Sequence, residues 1–209
     1  MLSILCSSPT QLTSHMPQDN SCGYADHMQI ISNAVQEWDS AFISFTKSCK
    51  HLYESRKENN LLVDVQPCFS FPILNELIET RLSISMKLAV GKYQEKSFDA
   101  RDKFNHSTDH LFSALNSFAE AVINHYVLNS RLPKVVSIQN ILNVINSFKN
   151  MLADECDAIR LFHFKQVFDD SFDTNDKWTN YFLSSNSLSK LTWCNDFIVQ
   201  LNTLLDFLI

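Results

Sequence analysis

Apolar residues recur at alternating steps of three and four along most of this chain, which is the spacing that keeps one side of an α-helix apolar. The longest such run extends for about six helical turns. Its members are Ile31, Val35, Trp38, Phe42, Phe45, Cys49 and Leu52. Because an apolar stripe of this length must be buried against other helices, the pattern predicts a first helix from about Asp26 to Lys57.

A second helix is predicted to begin at Pro72, since proline fits the first turn of a helix, where its missing N–H costs nothing. Its first apolar face comprises Leu74, Leu77, Ile78, Leu82 and Leu88. The pattern weakens after Gly91 and resumes at Leu111, so we expect a kink or a break near the glycine. Pro133 ends this region, because a helix does not easily continue into a proline.

A third helix is predicted from about Val135 to Phe168, antiparallel to the second. Its apolar positions are Ile138, Leu142, Ile145, Leu152, Cys156 and Ile159. The following residues 169–176 are rich in Asp, Asn and Thr, which favour turns and helix caps. They lead to a predicted short helix around Trp178 and to a final helix that begins near Ser187 or Leu188.

The final helix has two apolar stripes. One comprises Leu191, Cys194, Ile198, Leu201, Leu205 and Leu208, and it is expected to pack on the bundle. The other comprises Trp193, Phe197, Leu204 and Phe207, and it is the candidate surface for binding another helical subunit. The alternative is that both stripes are internal, since a helix enclosed by several others is apolar all round.

Together these elements predict an all-α fold, an antiparallel bundle of three long helices with a shorter C-terminal helical segment. Residues 1–26 contain Pro, Ser and Thr without periodicity, and we expect a flexible tail there. Residues 27–209 are expected to form a single domain, with the three long helices in 27–170 and the C-terminal segment in 171–209. A hydrophobic fraction of 45% is high enough for an ordered core.

Charge and cysteine content limit the classes of partner and compartment. A net charge of −6 and an isoelectric point of about 5.6 disfavour direct binding to nucleic acid or to an anionic membrane. No apolar run reaches the roughly 18 residues that a transmembrane helix needs, so we expect no membrane insertion. The six cysteines are scattered, which suits reduced thiols. Since residues 2–6 are too short for a signal sequence, we expect a cytoplasmic or nuclear protein.

No motif for catalysis or cofactor binding stands out. With only two glycines, the chain has no glycine-rich phosphate loop. The best metal-ligand grouping is His106, Asp109 and His110 with Asp102 one turn earlier, but a solvated polar face explains it more simply. Acidic residues of the second and third helices lack the Glu-x-x-His pairs of di-metal bundles. We therefore predict no catalytic, cofactor-binding or metal site, and no enzymatic activity.

Short segments of this chain resemble one protein family. They are Trp38-Asp39-Ser40-Ala41 in the first helix, Phe71-Pro72-Ile73-Leu74-Asn75-Glu76 at the start of the second, and the C-terminal end Leu205-Asp206-Phe207-Leu208. In order and spacing they resemble the AIRIM family, over most of residues 30–209. That family consists of small helical cofactors of AAA+ ATPases in cytoplasmic maturation of the large ribosomal subunit.

The resemblance implies a non-enzymatic adaptor whose partners are AAA+ ATPase subunits and another small helical subunit. An alternative is a structural helical subunit of a trafficking or cytoskeletal complex, which long helical bundles serve equally well. A third hypothesis is an enzyme with a metal site at His106 and His110.

Overall fold

The computed structural model describes residues 21–63, 72–128, 135–168 and 191–206, and each of these ranges is one α-helix. We number them α1 (Ser21–Val63), α2 (Pro72–Leu128), α3 (Val135–Phe168) and α4 (Leu191–Asp206). Within these four ranges every residue is helical and no strand occurs. The prediction of an all-α protein with three long helices and a shorter C-terminal one is confirmed.

Helices α1 and α2 run antiparallel, as the order of their ring contacts shows. The ring of Tyr24 lies 6.1 Å from that of Phe118, and the ring of Phe45 lies 5.4 Å from that of Phe104. Further along α1, the ring of His51 stacks on that of Tyr93 at 5.9 Å. Advancing along α1 therefore means moving back along α2.

Helix α3 returns antiparallel to α2, as predicted. Lys149 Nζ donates to Asn116 Oδ1 at 2.7 Å, while Arg160 Nε donates to Asn105 Oδ1 at 3.0 Å. At the far end of α3, the guanidinium of Arg56 in α1 donates to the carbonyl of Val167 at 3.1 Å.

The core lies where these helices meet, and it contains the apolar run of α1 that the sequence singled out. Every member of that run is buried, and Trp38 is fully buried at its centre. Its indole Nε1 donates to Thr108 Oγ1 at 3.2 Å, and that hydroxyl in turn donates to the carbonyl of Phe104 at 2.7 Å. Cys49 is buried in the same core as a free thiol.

Several helix boundaries differ from the sequence-based expectation. Helix α1 begins at Ser21, so residues 21–26 belong to it, whereas the rest of the predicted tail lies outside the described residues. Helix α2 runs without interruption through Gly91, where a kink or break was expected. One glycine in a helix interior costs only about 1 kcal/mol relative to alanine. Packing of the C-terminal flank of α2, where Phe104, Leu111 and Phe118 are buried, offsets that cost.

Two further predictions concern the C-terminal region and the membrane. Helix α4 is described from Leu191 to Asp206, and both its expected start at Ser187 or Leu188 and the short helix predicted around Trp178 lie outside the described residues. None of the four described helices is long and apolar enough to cross a bilayer.

Candidate interaction surface

The predicted interface on α4 is largely occupied by the bundle itself. Phe197 is only 5% exposed, and its ring stacks on that of Phe148 in α3 with centroids 3.8 Å apart and planes 6° from parallel. Trp193 is half-buried, with its ring 5.3 Å from that of Phe148 and 6.1 Å from that of Trp38. Leu204 also packs against the core.

These contacts favour the alternative in which both stripes of α4 are internal. Phe207, the fourth residue of the predicted interface, lies outside the described residues. The stripe that was expected to bind a partner thus supplies aromatic packing between α4, α3 and α1. Its large rings explain the apolar pattern without a second protein.

The candidate metal ligands on α2 lie on a solvated face. His106 and Asp109 are exposed, and His110 Nδ1 lies 3.0 Å from Glu37 Oε2 of α1. Asp102 accepts from its neighbour Arg101 at 2.9 Å. Among the residues of the four helices, no group of three or more His, Cys, Asp or Glu side chains is placed to hold a metal ion.

Glu76 and Glu79 of α2 lie too far from Asp154, Glu155 and Asp157 of α3 to form a carboxylate site with them. Arg160 of α3 donates to Asn105 of α2 and to Asp157 of its own helix. The carboxylates of α3 near Asp157 therefore lie beside α2 at about the position of Asn105. Glu79 lies 26 residues before Asn105, or about 39 Å along the helix. The two sets of carboxylates therefore cannot share one ligand.

One buried titratable group has a clear structural role. His163 is buried between the rings of Phe45 and Phe98, at 5.1 and 5.3 Å. The Ser97 hydroxyl donates to the carbonyl of Gln94 at 2.7 Å, so it accepts from His163 Nε2, 3.0 Å away. Burial, with a smaller contribution from the charge of Arg101, lowers the pKa of His163 to about 4.

A Ser–His contact of this kind is part of many hydrolase sites, but this one is closed to substrates. Ser97 is fully buried, as is the ring it contacts. A nucleophile must reach the reacting atom, and a neutral, buried histidine whose Nε2 donates its proton to Ser97 cannot act as that serine's base. The pair stabilises the α2–α3 interface.

The first half of α2 carries the largest apolar surface that the described helices leave uncovered. We define its outer stripe as the four aliphatic residues whose exposed fractions are 84%, 53%, 53% and 70%. They are Ile73, Leu77, Ile84 and Leu88. At 100° per residue these positions fall within an arc of about 60° on one side of the helix.

The outer stripe faces away from the bundle. At the end of this stretch and in the turn that follows it, Met86, Ala89, Val90 and Tyr93 are half-buried. Helical geometry places these four on roughly the opposite side of α2 from the stripe. Since the ring of Tyr93 stacks on that of His51, that opposite side is the one that contacts α1.

Helix α1 also ends before α2 does. Val63 lies 12 residues after His51, which contacts Tyr93 of α2. Since the two helices are antiparallel and have the same rise per residue, Val63 lies opposite about residue 81 of α2. The first turns of α2, with Ile73 and Leu77, therefore extend past the end of α1. In these first turns Ile78 and Leu82 are also exposed. They lie on the side of α2 that, near Tyr93, contacts α1.

This division of early α2 into two faces was not predicted from the sequence, where its aliphatic residues were treated as one seam and assigned to the bundle. The sequence does contain the two faces. Steps of 4, 7 and 4 residues separate the members of the outer stripe, whereas Ile78 and Leu82 lie on a different side of the helix. Which side packs on α1 depends on tertiary contacts and could not be read from the pattern.

A smaller exposed apolar patch lies at the end of α3. It comprises Leu161, Phe164 and Phe168, and the two phenylalanine rings lie 4.9 Å apart. The patch is directly followed by residues 169–190, which lie outside the described ranges.

Comparisons with known proteins give no further guidance, because no family model, no curated protein and no solved structure matches this chain. The resemblance to the AIRIM family therefore remains a prediction.

Proposed function

We propose that this protein is a non-enzymatic adaptor subunit of an AAA+ ATPase complex that acts in maturation of the large ribosomal subunit. In this proposal the ATPase supplies the chemistry and the helical bundle supplies binding surfaces. The outer stripe of α2 binds another small helical subunit, and the protein works in the cytoplasm or the nucleus.

The observation that carries the adaptor function is the outer stripe itself. Four large aliphatic side chains are exposed along about four turns of α2, and from Met86 onward the opposite side of this helix is half-buried toward α1. A contiguous exposed apolar surface on a folded protein marks a site of interaction. An amphipathic helix recognises such a surface through residues at spacings of three and four.

The ribosomal part of the proposal rests on the family resemblance alone. The Trp38-Asp39-Ser40-Ala41 segment that contributes to it lies in α1 with Trp38 and Asp39 buried. Because these two residues are buried, they contribute to packing of the bundle and do not contact a partner protein. The resemblance at this segment therefore supports a similar fold more strongly than a similar complex.

The alternative function is that of a structural helical subunit in a trafficking or cytoskeletal complex. The outer stripe suits that role equally well, since fold alone does not specify function. The two functions differ only in the identity of the partners.

Affinity purification of the tagged full-length protein from its own cells, followed by mass spectrometry, tests the proposal. We expect AAA+ ATPase subunits and ribosome-maturation factors with the wild type, and their loss with the double variant Leu77→Glu, Ile84→Glu. Val199→Glu is the matched control, because it places the same charge at a comparably exposed aliphatic residue of α4. Recovery of coat, tether or cytoskeletal subunits in their place would contradict the ribosomal assignment.

The enzymatic hypothesis is tested separately by metal analysis. We expect the purified protein to contain no stoichiometric metal ion. One ion per chain that is lost in His106→Ala and His110→Ala would contradict the non-enzymatic proposal.

A further inference from the structure

We propose that the helix bound by the outer stripe of α2 is the outer stripe of a second copy of this chain, with the two α2 helices antiparallel. The inference rests on the proposed function in one respect, namely that the outer stripe is a docking surface. It adds the identity of the partner and the geometry of the pair.

The first argument is the symmetry of the stripe. Its members are separated by 4, 7 and 4 residues, so the spacing is the same in both directions along the helix. A two-fold axis between Thr80 and Arg81 then places Ile73 against Leu88 of the second copy, and Leu77 against Ile84 of the second copy. A two-fold interface requires this kind of self-complementary surface.

The second argument is charge complementarity. Glu76 and Lys87 are both exposed, and helical geometry puts them on the same flank of the stripe, about 90° and 70° from its midline. In the antiparallel pair this flank meets the same flank of the second copy, with Glu76 at nearly the level of Lys87. Two intermolecular ion pairs result. In a parallel pair the two flanks lie on opposite sides of the seam, and these residues do not meet.

The pair is expected to be weak. The stripe is only about 22 Å long, and one pair of helices over that length buries less than the roughly 1,200 Å² of a standard stable interface. The two Arg81 side chains also lie beside the two-fold axis, where their like charges repel. We therefore expect a dissociation constant in the micromolar range.

Sedimentation velocity of the full-length protein over a range of concentrations tests the inference. We expect the weight-average mass to rise from one chain to two as concentration passes through the micromolar range. Leu77→Glu with Ile84→Glu should remain monomeric, while Val199→Glu should dimerise like the wild type. A wild type that stays monomeric throughout, or a dimer that survives both glutamates, would overturn the inference.

Charge reversal tests the antiparallel geometry. Glu76→Lys and Lys87→Glu should each weaken the dimer about 5-fold or more, and the combined variant should return it to within about 2-fold of the wild type, because both ion pairs re-form with reversed sign. Arg81→Gln should tighten the dimer by removing the repulsion at the axis. If the combined variant were weaker than either single one, the antiparallel arrangement would be wrong.

The two proposals fail in different ways. A monomeric wild type whose binding to other proteins is abolished by the stripe variant contradicts the second copy and leaves the adaptor function standing. A dimer that behaves as expected while purification recovers no ATPase or ribosome-maturation factor supports the second copy and contradicts the proposed function.

Discussion

Replacement of Trp38 by alanine should be among the most damaging single changes in this protein. The side chain is fully buried, and three aromatic rings lie around it, those of Phe42, Phe104 and Trp193 at 5.4, 6.0 and 6.1 Å. A buried aromatic side chain removes roughly 150–250 Å² from water, which at about 25 cal/mol per Å² gives an upper bound of roughly 4–6 kcal/mol.

The indole hydrogen bond adds a smaller amount. Trp38→Ala removes the donor to Thr108 Oγ1 at 3.2 Å, but that hydroxyl keeps its own bond to the carbonyl of Phe104. A neutral hydrogen bond contributes about 0.5–1.5 kcal/mol. Since alanine retains part of the apolar contact, we expect Trp38→Ala to lower the free energy of unfolding by about 3–5 kcal/mol.

Urea unfolding followed by circular dichroism at the helical band measures this loss. Ile30→Ala is the matched control, because Ile30 is a half-exposed residue of the same helix, and its replacement should cost less than about 1 kcal/mol. Trp38→Phe combined with Thr108→Val in a double-mutant cycle isolates the hydrogen bond. A loss below about 1 kcal/mol for Trp38→Ala would refute the placement of this residue at the centre of the core.

Three further predictions concern protonation, thiol reactivity and helix continuity. Burial lowers the pKa of His163 from 6.5 to about 4, so as pH falls the imidazole takes up a proton in the unfolded state before it does so in the folded state. The free energy of unfolding should therefore decrease as pH is lowered from 6.5 to 4. His163→Gln should flatten that part of the stability profile measured by urea titration, and an unchanged slope would contradict the assignment. Cys49 and Cys156 are buried, and burial raises the pKa of both thiols. Mass spectrometry should therefore find them unmodified after iodoacetamide treatment of the native protein and alkylated after treatment in urea. Rapid labelling without denaturant would show that the core is open. Gly91 lies inside α2, and a methyl group added to its Cα would meet no neighbouring atom within 4 Å. Gly91→Ala should therefore raise the free energy of unfolding by about 0.5–1 kcal/mol, and a loss in urea unfolding would mean that α2 is bent or broken there.

The sequence predicted the helices better than it predicted their surroundings. Helix α3 spans the predicted residues from Val135 to Phe168, because its periodicity is strong and Pro133 precedes it. At Gly91 the local signal pointed to a break, but one glycine costs only about 1 kcal/mol relative to alanine, which is too little to interrupt this helix.

The candidate binding surface shows the limit of pattern reading more clearly. Trp193 and Phe197 formed an apolar stripe of their own, and the pattern could not tell that Phe148 of α3 lies against both of them. Conversely, Leu77 and Leu88 have an ordinary helical spacing that suits a core seam. Their exposure follows from the direction in which α1 packs on α2, which is a property of the assembled bundle.

The most direct test of the central claim is the stability of the double variant Leu77→Glu, Ile84→Glu in urea. It is measured at about 1 μM, below the expected dissociation constant of the dimer. If the outer stripe faces away from the bundle, two glutamates there should change the free energy of unfolding by less than about 1 kcal/mol. A loss of more than about 3 kcal/mol, as expected when charges are forced into a core, would show that these residues pack inside the protein and would contradict the docking surface.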